Sequence, residues 1–302
     1  MKEEFVKHLQ SILREDQWAL EENMSSHVTF RTGGPAEYYV RPNRHQVQPV
    51  LALCSRFGVP WMVIGNGSNL LVGDGGVRGL VMEIGKMMDQ VSVKGELVTA
   101  EAGALLSSVA RYAARESLAG MEFASGIPGS VGGAVVMNAG AYGGEMKQII
   151  KSAAVLTPEG EELELSAEEL DLGYRRSCIP GKGYIVLEAK LQLSKGSQQE
   201  ISDRMEELKS KRLEKQPLEY PSAGSTFKRP QGYFAGKLIQ DAGLRGYQVG
   251  GAQVSEKHCG FVINKEKALS RDIRQLITDV QIQVESQFGV HLEPEVKFVG
   301  EF

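Results

Sequence analysis

The chain has 302 residues, a formal charge of −4, 42% hydrophobic and 24% charged residues, which is the balance of a globular protein and excludes a disordered or fibrous one. Scattered Lys and Arg leave no electrostatic footprint for nucleic acid. No run approaches the ~18 consecutive apolar residues of a membrane helix, and Met1-Lys2-Glu3-Glu4 is too polar for a signal peptide, so a cytoplasmic protein with no membrane partner is expected.

In chain order, residues 3–20 read as a helix, with Phe5, Leu9, Ile12 and Leu13 at helical spacing. Ala36–Arg41 reads as a strand, His45–Phe57 as a helix ended by Gly58, and Pro60–Ile64 as a second strand, together one β-α-β unit. From Gly65 to Gly103 short apolar runs (Leu70–Val72, Leu80–Ile84, Val91–Val93, Leu97–Ala100) alternate with glycine turns, as in a small antiparallel or mixed sheet. Leu105–Ser117 is predicted as an amphipathic helix, and Gly126–Gly144 as a loop with a buried run Ala134–Met137. Strands are expected at Ala153–Thr157, Glu162–Leu165 and Tyr184–Leu191, then helices at Ile201–Lys215 and Ser270–Gln287, the second with Ser270 as N-cap. At about 100–200 residues per domain the length predicts two, and the polar segment Ser194–Gln199 places them at 1–195 and 196–302.

Glycine is in surplus, 35 residues, and about half of them lie between Gly65 and Gly144. Gly65-Asn66-Gly67-Ser68-Asn69 directly follows a predicted strand. Consecutive backbone N–H groups in such a turn can form a nest for phosphate oxygens, and the alternative is a plain glycine turn. It is not the dinucleotide fingerprint, because the third glycine position is Leu70. A second segment, Ser125-Gly126-Ile127-Pro128-Gly129-Ser130-Val131-Gly132-Gly133 with Asn138 and Gly140 beyond it, carries an apolar run that a surface linker would not. Two glycine loops in one domain favour a cofactor containing a diphosphate. No Gly-Lys-Ser/Thr ends either loop, which excludes a Walker A site.

Hydrolase readings fail, since Pro128-Gly129-Ser130-Val131-Gly132 lacks the first glycine of the nucleophile elbow and no histidine stands out as its base. Cys54, Cys178 and Cys259 are odd in number and widely spaced, so they are expected to be reduced packing thiols, with neither a disulfide framework nor a metal site. Tyr174-Arg175-Arg176-Ser177, Ala223-Gly224-Ser225-Thr226-Phe227-Lys228 and Glu293-Pro294-Glu295 carry reactive groups outside regular elements. Each alone reads as structural, and only their combination has meaning.

That combination resembles a known family. Thr29-Phe30-Arg31-Thr32-Gly33-Gly34-Pro35-Ala36, the Gly65–Leu70 turn, Gly126-Ile127-Pro128-Gly129 with Asn138-Ala139-Gly140-Ala141-Tyr142-Gly143, Tyr174-Arg175, Ala223–Lys228 and Glu293-Pro294-Glu295-Val296 occur in the order seen in the UDP-N-acetylenolpyruvoylglucosamine reductases, the MurB family of peptidoglycan precursor synthesis. The resemblance runs from about residue 22 to the end. It implies an α+β chain: an FAD-binding domain of the vanillyl-alcohol-oxidase (PCMH) type plus a C-terminal α+β substrate-binding domain. It also implies non-covalent FAD, held by Gly65, Asn66, Gly67, Ser68, Asn69, Ser125, Gly126, Ile127, Pro128, Gly129, Ser130, Gly132, Gly133, Asn138 and Gly140, and NADPH as reductant.

On the same basis Ser225 is the proton donor, with Arg175 and Glu295 assisting at the developing enolate. Tyr174, Lys215, Lys228, Arg229 and His258 are substrate contacts for UDP-N-acetylglucosamine enolpyruvate. Arg229 departs from the family pattern, which has Asn after the Lys, although a guanidinium also reaches phosphate. The short segment from Arg175 to Ser225 resembles the subclass without the inserted lid, and a monomer is expected. A flavin oxidase of the same fold, or a non-catalytic UDP-sugar binding protein, are the alternatives.

Overall fold

A computed structural model describes residues 2–302, which divide into two compact units. One joins the chain up to Ala19 with Tyr39–Asn66 and Gly79–Lys211; the other joins Leu20–Tyr38, Gly67–Arg78 and Arg212–Phe302.

The first unit is built on a five-stranded antiparallel sheet in the order Glu162–Ser166, Ile150–Leu156, Ile185–Gln192, Leu97–Glu101, Val91–Lys94. Ala153 pairs with Ala189 and Ala189 with Ala100, all three fully buried, so the middle of the sheet is a row of small side chains. Helix Val131–Met137 packs over the central strand Ile185–Gln192 on this low surface. Helix Leu106–Arg115 buries Leu106, Val109, Ala110 and Ala113, the face its spacing predicts. Helix Arg44–Phe57 stops at Gly58, whose left-handed φ of +63° a Cβ would disfavour. Strand Trp61–Ile64 then runs parallel to Val77–Glu83, Trp61 opposite Leu80 and Ile64 opposite Glu83.

Two expectations are corrected here. The N-terminal helix covers Lys2–Ile12, not 3–20, and a 3-10 turn at Glu15–Gln17 leads into the strand Trp18–Asn23. The reason is Gln17, which is buried and accepts the Arg14 N–H at 3.0 Å while donating to the Arg41 carbonyl at 3.0 Å, closing the turn with side-chain bonds no helical pattern reveals. The glycine loop at 126–144 also holds a helix. Ser130 caps it, its Oγ accepting the Gly133 N–H at 3.4 Å, and Asn138 ends it at φ +41°.

In the second unit helix Ser270–Phe288 presents Ile273, Leu276, Ile277, Val280 and Val284 to a core with Phe30, Leu71, Val254, Val262 and Leu292. Each such side chain contributes about 1.5–3 kcal/mol of burial before conformational entropy is charged against it. The core is covered by short strands, Ala252–Val254 with Val262–Asn264 antiparallel and Leu70–Val72 with Lys297–Val299 parallel. Ser270 is not the N-cap of the helix; Leu269 holds that position. The capping oxygen comes from elsewhere in the chain: the Asp74 carboxylate accepts the N–H groups of Ser270 (2.8 Å) and Arg271 (3.0 Å), and Asp272 reaches back to the Leu269 N–H at 3.0 Å. Ser270 is released from capping and donates its hydroxyl to the Val72 carbonyl in the interior. Among the described residues no helix is long and apolar enough to cross a membrane.

Candidate functional site

In the first unit the two glycine segments touch. A Cβ on Gly65 would lie 2.2 Å from Ser130 Oγ, and the Asn66 side chain donates to the Pro128 carbonyl at 2.7 Å. The base of the second loop is fixed by the carbonyls of Gly129, Ala104 and Ala102, which accept the N–H groups of Leu106, Val131 and Gly132 at 2.8–2.9 Å. Gly132 sits where a Cβ would meet the Ala102 Cβ at 3.0 Å, while Gly133 is exposed in the first helical turn. Gly65 and Gly132 are thus demanded first by the protein's own packing. What is left over is the amides: among the described residues none of the backbone N–H groups of Gly65–Asn69, nor those of Gly126, Gly129 and Ser130, finds a protein acceptor. Runs of unpaired amides suit an anionic group such as a diphosphate. Ser125 differs, since both its N–H and its Oγ bond the Glu122 carbonyl, and Ile127 bonds Ala124.

Asn138 is buried and engaged by protein: its amide donates to Glu145 (3.1 Å) and to the Gly173 carbonyl (3.0 Å), and its Oδ1 accepts the Lys147 N–H (2.9 Å). It thereby suspends the turn that carries Tyr174 and Arg175. Arg175 adopts φ +54°, donates to the Gly140 carbonyl at 3.3 Å and lies 5.3 Å from the centre of the exposed Tyr174 ring. A left-handed non-glycine residue costs roughly 1–2 kcal/mol, a strain typical of residues whose direction matters.

In the second unit three short segments lie side by side. Ser225 bridges Phe261, and Phe227 bridges Pro294. Between them buried Thr226 donates its N–H to Gly260 (2.9 Å), accepts the Val262 N–H on its hydroxyl (2.9 Å) and accepts the Glu295 N–H on its carbonyl (2.8 Å). Ser225, itself exposed, and Glu295 are therefore one residue apart across paired backbone. Asn69 holds the far side, its amide donating to the Glu295 carbonyl at 3.1 Å and its own carbonyl accepting from Lys297 at 2.9 Å. Gly67 is fixed by contact, since a Cβ would come within 2.0 Å of the His27 carbonyl. Thr29 and Thr32 bring buried hydroxyls with no hydrogen-bond partner.

His258 leans its ring edge-on against Phe261, 5.0 Å away, and its Nδ1 accepts the Gly260 N–H at 3.1 Å, which leaves the neutral ring's proton on Nε2. Burial holds its pKa below the ordinary value. Lys228 pairs with Glu293 through both backbone and side chain. Arg229 stacks on Phe234 at 4.0 Å, and Lys215 is exposed at the end of helix Gln198–Lys215.

The cysteines are free thiols; burial pushes Cys54 up to about 12, far from a reactive thiolate. Among the described residues no cluster of His, Cys, Asp and Glu could hold a metal. Sequence reasoning missed Asp74, Thr226 and the exposed pair Tyr233–Phe234. Only the last had a signal, aromatics directly after a Pro-Gln-Gly turn.

Two family models match: an FAD binding domain over residues 36–166, and the C-terminal domain of UDP-N-acetylenolpyruvoylglucosamine reductase over 216–299. The chain is 56% identical to the UDP-N-acetylenolpyruvoylglucosamine reductase of Agathobacter rectalis, covering all of both chains. It is 53% identical to that of Lachnoclostridium phytofermentans, over 100% of this chain and 99% of the relative. The solved structure of UDP-N-acetylenolpyruvylglucosamine reductase from Thermus caldophilus matches with a TM-score of 0.81 at 35% identity, over 94% of this chain and 98% of that one. The α+β architecture with a vanillyl-alcohol-oxidase-type FAD domain accords with these matches, and the unpaired amides of the two glycine loops fit that cofactor's diphosphate.

Proposed function

The chain belongs to the UDP-N-acetylenolpyruvoylglucosamine reductase family, and on that premise we propose that it reduces the enolpyruvyl ether of UDP-N-acetylglucosamine enolpyruvate to UDP-N-acetylmuramate at the expense of NADPH. The chemistry supplied by bound FAD is hydride transfer, from NADPH through N5 to the vinyl CH2 carbon. Everything else falls to side chains and amides of this chain.

Gly65–Asn69, Gly126, Gly129 and Ser130 hold the cofactor diphosphate on their N–H groups. As hydride reaches the CH2 carbon, negative charge develops on its neighbour and spreads into the carboxylate. Arg175 stabilises that enolate with Glu295 assisting, and the Ser225 hydroxyl gives its proton to the carbon, so hydride and proton together saturate the double bond. A serine hydroxyl is a weak acid, but the carbanion-like partner is strongly basic, so position matters more than resting acidity. Tyr174, Lys215, Lys228, Arg229 and His258 are proposed substrate contacts, with the neutral His258 offering an N–H rather than a charge.

The observation that supports this reading is the backbone bond from the Glu295 N–H to the Thr226 carbonyl, which sets Glu295 next to Ser225 across bridged backbone segments. Purified protein is expected to be yellow, to bleach with NADPH under anaerobic conditions and to recover its colour on addition of the enolpyruvyl substrate. Colour returning with air alone, and not with substrate, would favour the oxidase; colourless protein that binds UDP would favour the binding protein.

A further inference from the structure

Thr226 is wholly buried, although Ser225 directly before it is exposed. Its backbone holds two neighbours, the N–H donating to the Gly260 carbonyl at 2.9 Å and the carbonyl accepting the Glu295 N–H at 2.8 Å. The side chain adds a third bond: its hydroxyl accepts the Val262 N–H at 2.9 Å. Val262 is itself buried, so that N–H lies away from bulk water. Gly260 and Val262 flank Phe261, the residue that bridges Ser225. Phe261 is therefore gripped from both sides by the residue that follows Ser225. On the other side of Ser225 the chain turns away at Gly224, φ +78°, and meets the strand Val262–Asn264 again at Pro221, whose carbonyl accepts the Asn264 N–H at 2.9 Å. The place of Ser225 thus depends on the register between residues 225–226 and 260–262, and Thr226 fixes that register with its N–H and its hydroxyl together.

We propose that the Thr226 hydroxyl is a positioning group for Ser225: by taking the Val262 N–H it locks Phe261 opposite Ser225 and so sets where the Ser225 Oγ stands for proton delivery. The inference rests on the proposed function, in which Ser225 is the proton donor. A buried N–H without an acceptor is strongly disfavoured, so removing the hydroxyl makes the 260–262 segment move until Val262 finds another partner. Ser225 moves with it, because the bridge to Phe261 couples them. Misplacing a reacting group by about 1 Å costs about 10²-fold in rate. The bond to Glu295 is made by the Thr226 carbonyl, which a side-chain substitution leaves in place. Threonine suits the role because its branched Cβ restricts χ1 and holds the oxygen on its acceptor line; serine offers the same oxygen with more rotamer freedom. Being wholly buried, Thr226 acts through Ser225 and not on the substrate.

The test is a double-mutant cycle on the FAD-loaded protein, with each half-reaction followed separately by anaerobic stopped-flow absorbance. Thr226→Val keeps the shape and removes the acceptor. It should leave flavin reduction by NADPH within about twofold of wild type and slow reoxidation by the enolpyruvyl substrate about ten- to a hundred-fold. Thr226→Ser should restore reoxidation to within about threefold. In a Ser225→Ala background Thr226→Val should add less than about twofold, because the group it positions is gone. If Thr226→Val does not fold, Thr226→Ala, which leaves room for a water at the Val262 N–H, carries the same comparison. Equal losses in the two half-reactions, an unchanged reoxidation, or the full loss repeated in the Ser225→Ala background overturns the positioning role. Unimpaired reoxidation in Ser225→Ala alone overturns the reading of Ser225 as donor, an outcome distinct from additivity of the two substitutions.

Discussion

The glycine loops of the first unit and the Ser225 patch of the second are built from different material. In the loops at 65–66 and 125–133 most of the groups left for a ligand are backbone amides, and the side chains present, Asn66 and Ser130, join loop to loop or cap a helix. In the patch the backbone is consumed by bridges through Thr226, and what is left over is side chains, those of Ser225 and Glu295 to which the proposed chemistry falls. A backbone site is sensitive to any added Cβ and indifferent to most polar exchanges elsewhere. A side-chain site is the reverse: its frame tolerates substitution at the reactive atoms, and its function does not.

That contrast can be broken from either end. The largest structural effect is expected for Gly67→Ala, because the new Cβ would meet the His27 carbonyl at 2.0 Å in a residue already at φ +59°. Bound flavin per chain should fall at least about tenfold, the equivalent of 1.4 kcal/mol. Gly58→Ala sharpens the point. It too has a positive φ, but nothing lies within 4 Å, so only the conformational cost of about 1–2 kcal/mol applies and flavin is retained. Absorbance at the flavin bands after gel filtration decides both.

Smaller effects follow elsewhere. Asp74→Ala removes the carboxylate that caps helix Ser270–Phe288, at a cost of about 1–2 kcal/mol read from denaturant midpoints, with flavin content unchanged. The smallest expected effect is a pH dependence at His258. Its folded pKa is depressed by burial below the ordinary 6.5, so on acidification the unfolded chain binds the proton first. Stability contributed by the neutral ring is fully present above pH 6.5 and declines as pH falls through 6.5 toward the folded value. His258→Gln should flatten that part of the Tm-against-pH curve and leave the neutral-pH Tm nearly unchanged.

How much could be read from the sequence follows the same division. The glycine loops were legible because close backbone approach leaves a compositional trace, and at Gly65 and Gly67 that approach is to Ser130 and His27. The apolar faces of Leu106–Arg115 and Ser270–Phe288 followed from spacing. What escaped was set by single side chains acting at long range. Gln17 ended the first helix early, Asp74 displaced Ser270 from its cap, and Ser130 turned an expected loop into a helix start. Ser225, Arg175 and Glu295 carry no local pattern at all; only family resemblance singled them out. Their pairing through Thr226, for Ser225 and Glu295, is a fact of three-dimensional register.

The most direct measurement separates the two half-reactions in Ser225→Ala by anaerobic stopped-flow absorbance. Flavin reduction by NADPH should stay within about twofold of wild type, while reoxidation by the enolpyruvyl substrate slows by about 10²–10⁴-fold, the range for loss of a general acid. Equal losses in both half-reactions, or an unimpaired reoxidation, would contradict the assignment of Ser225 as proton donor.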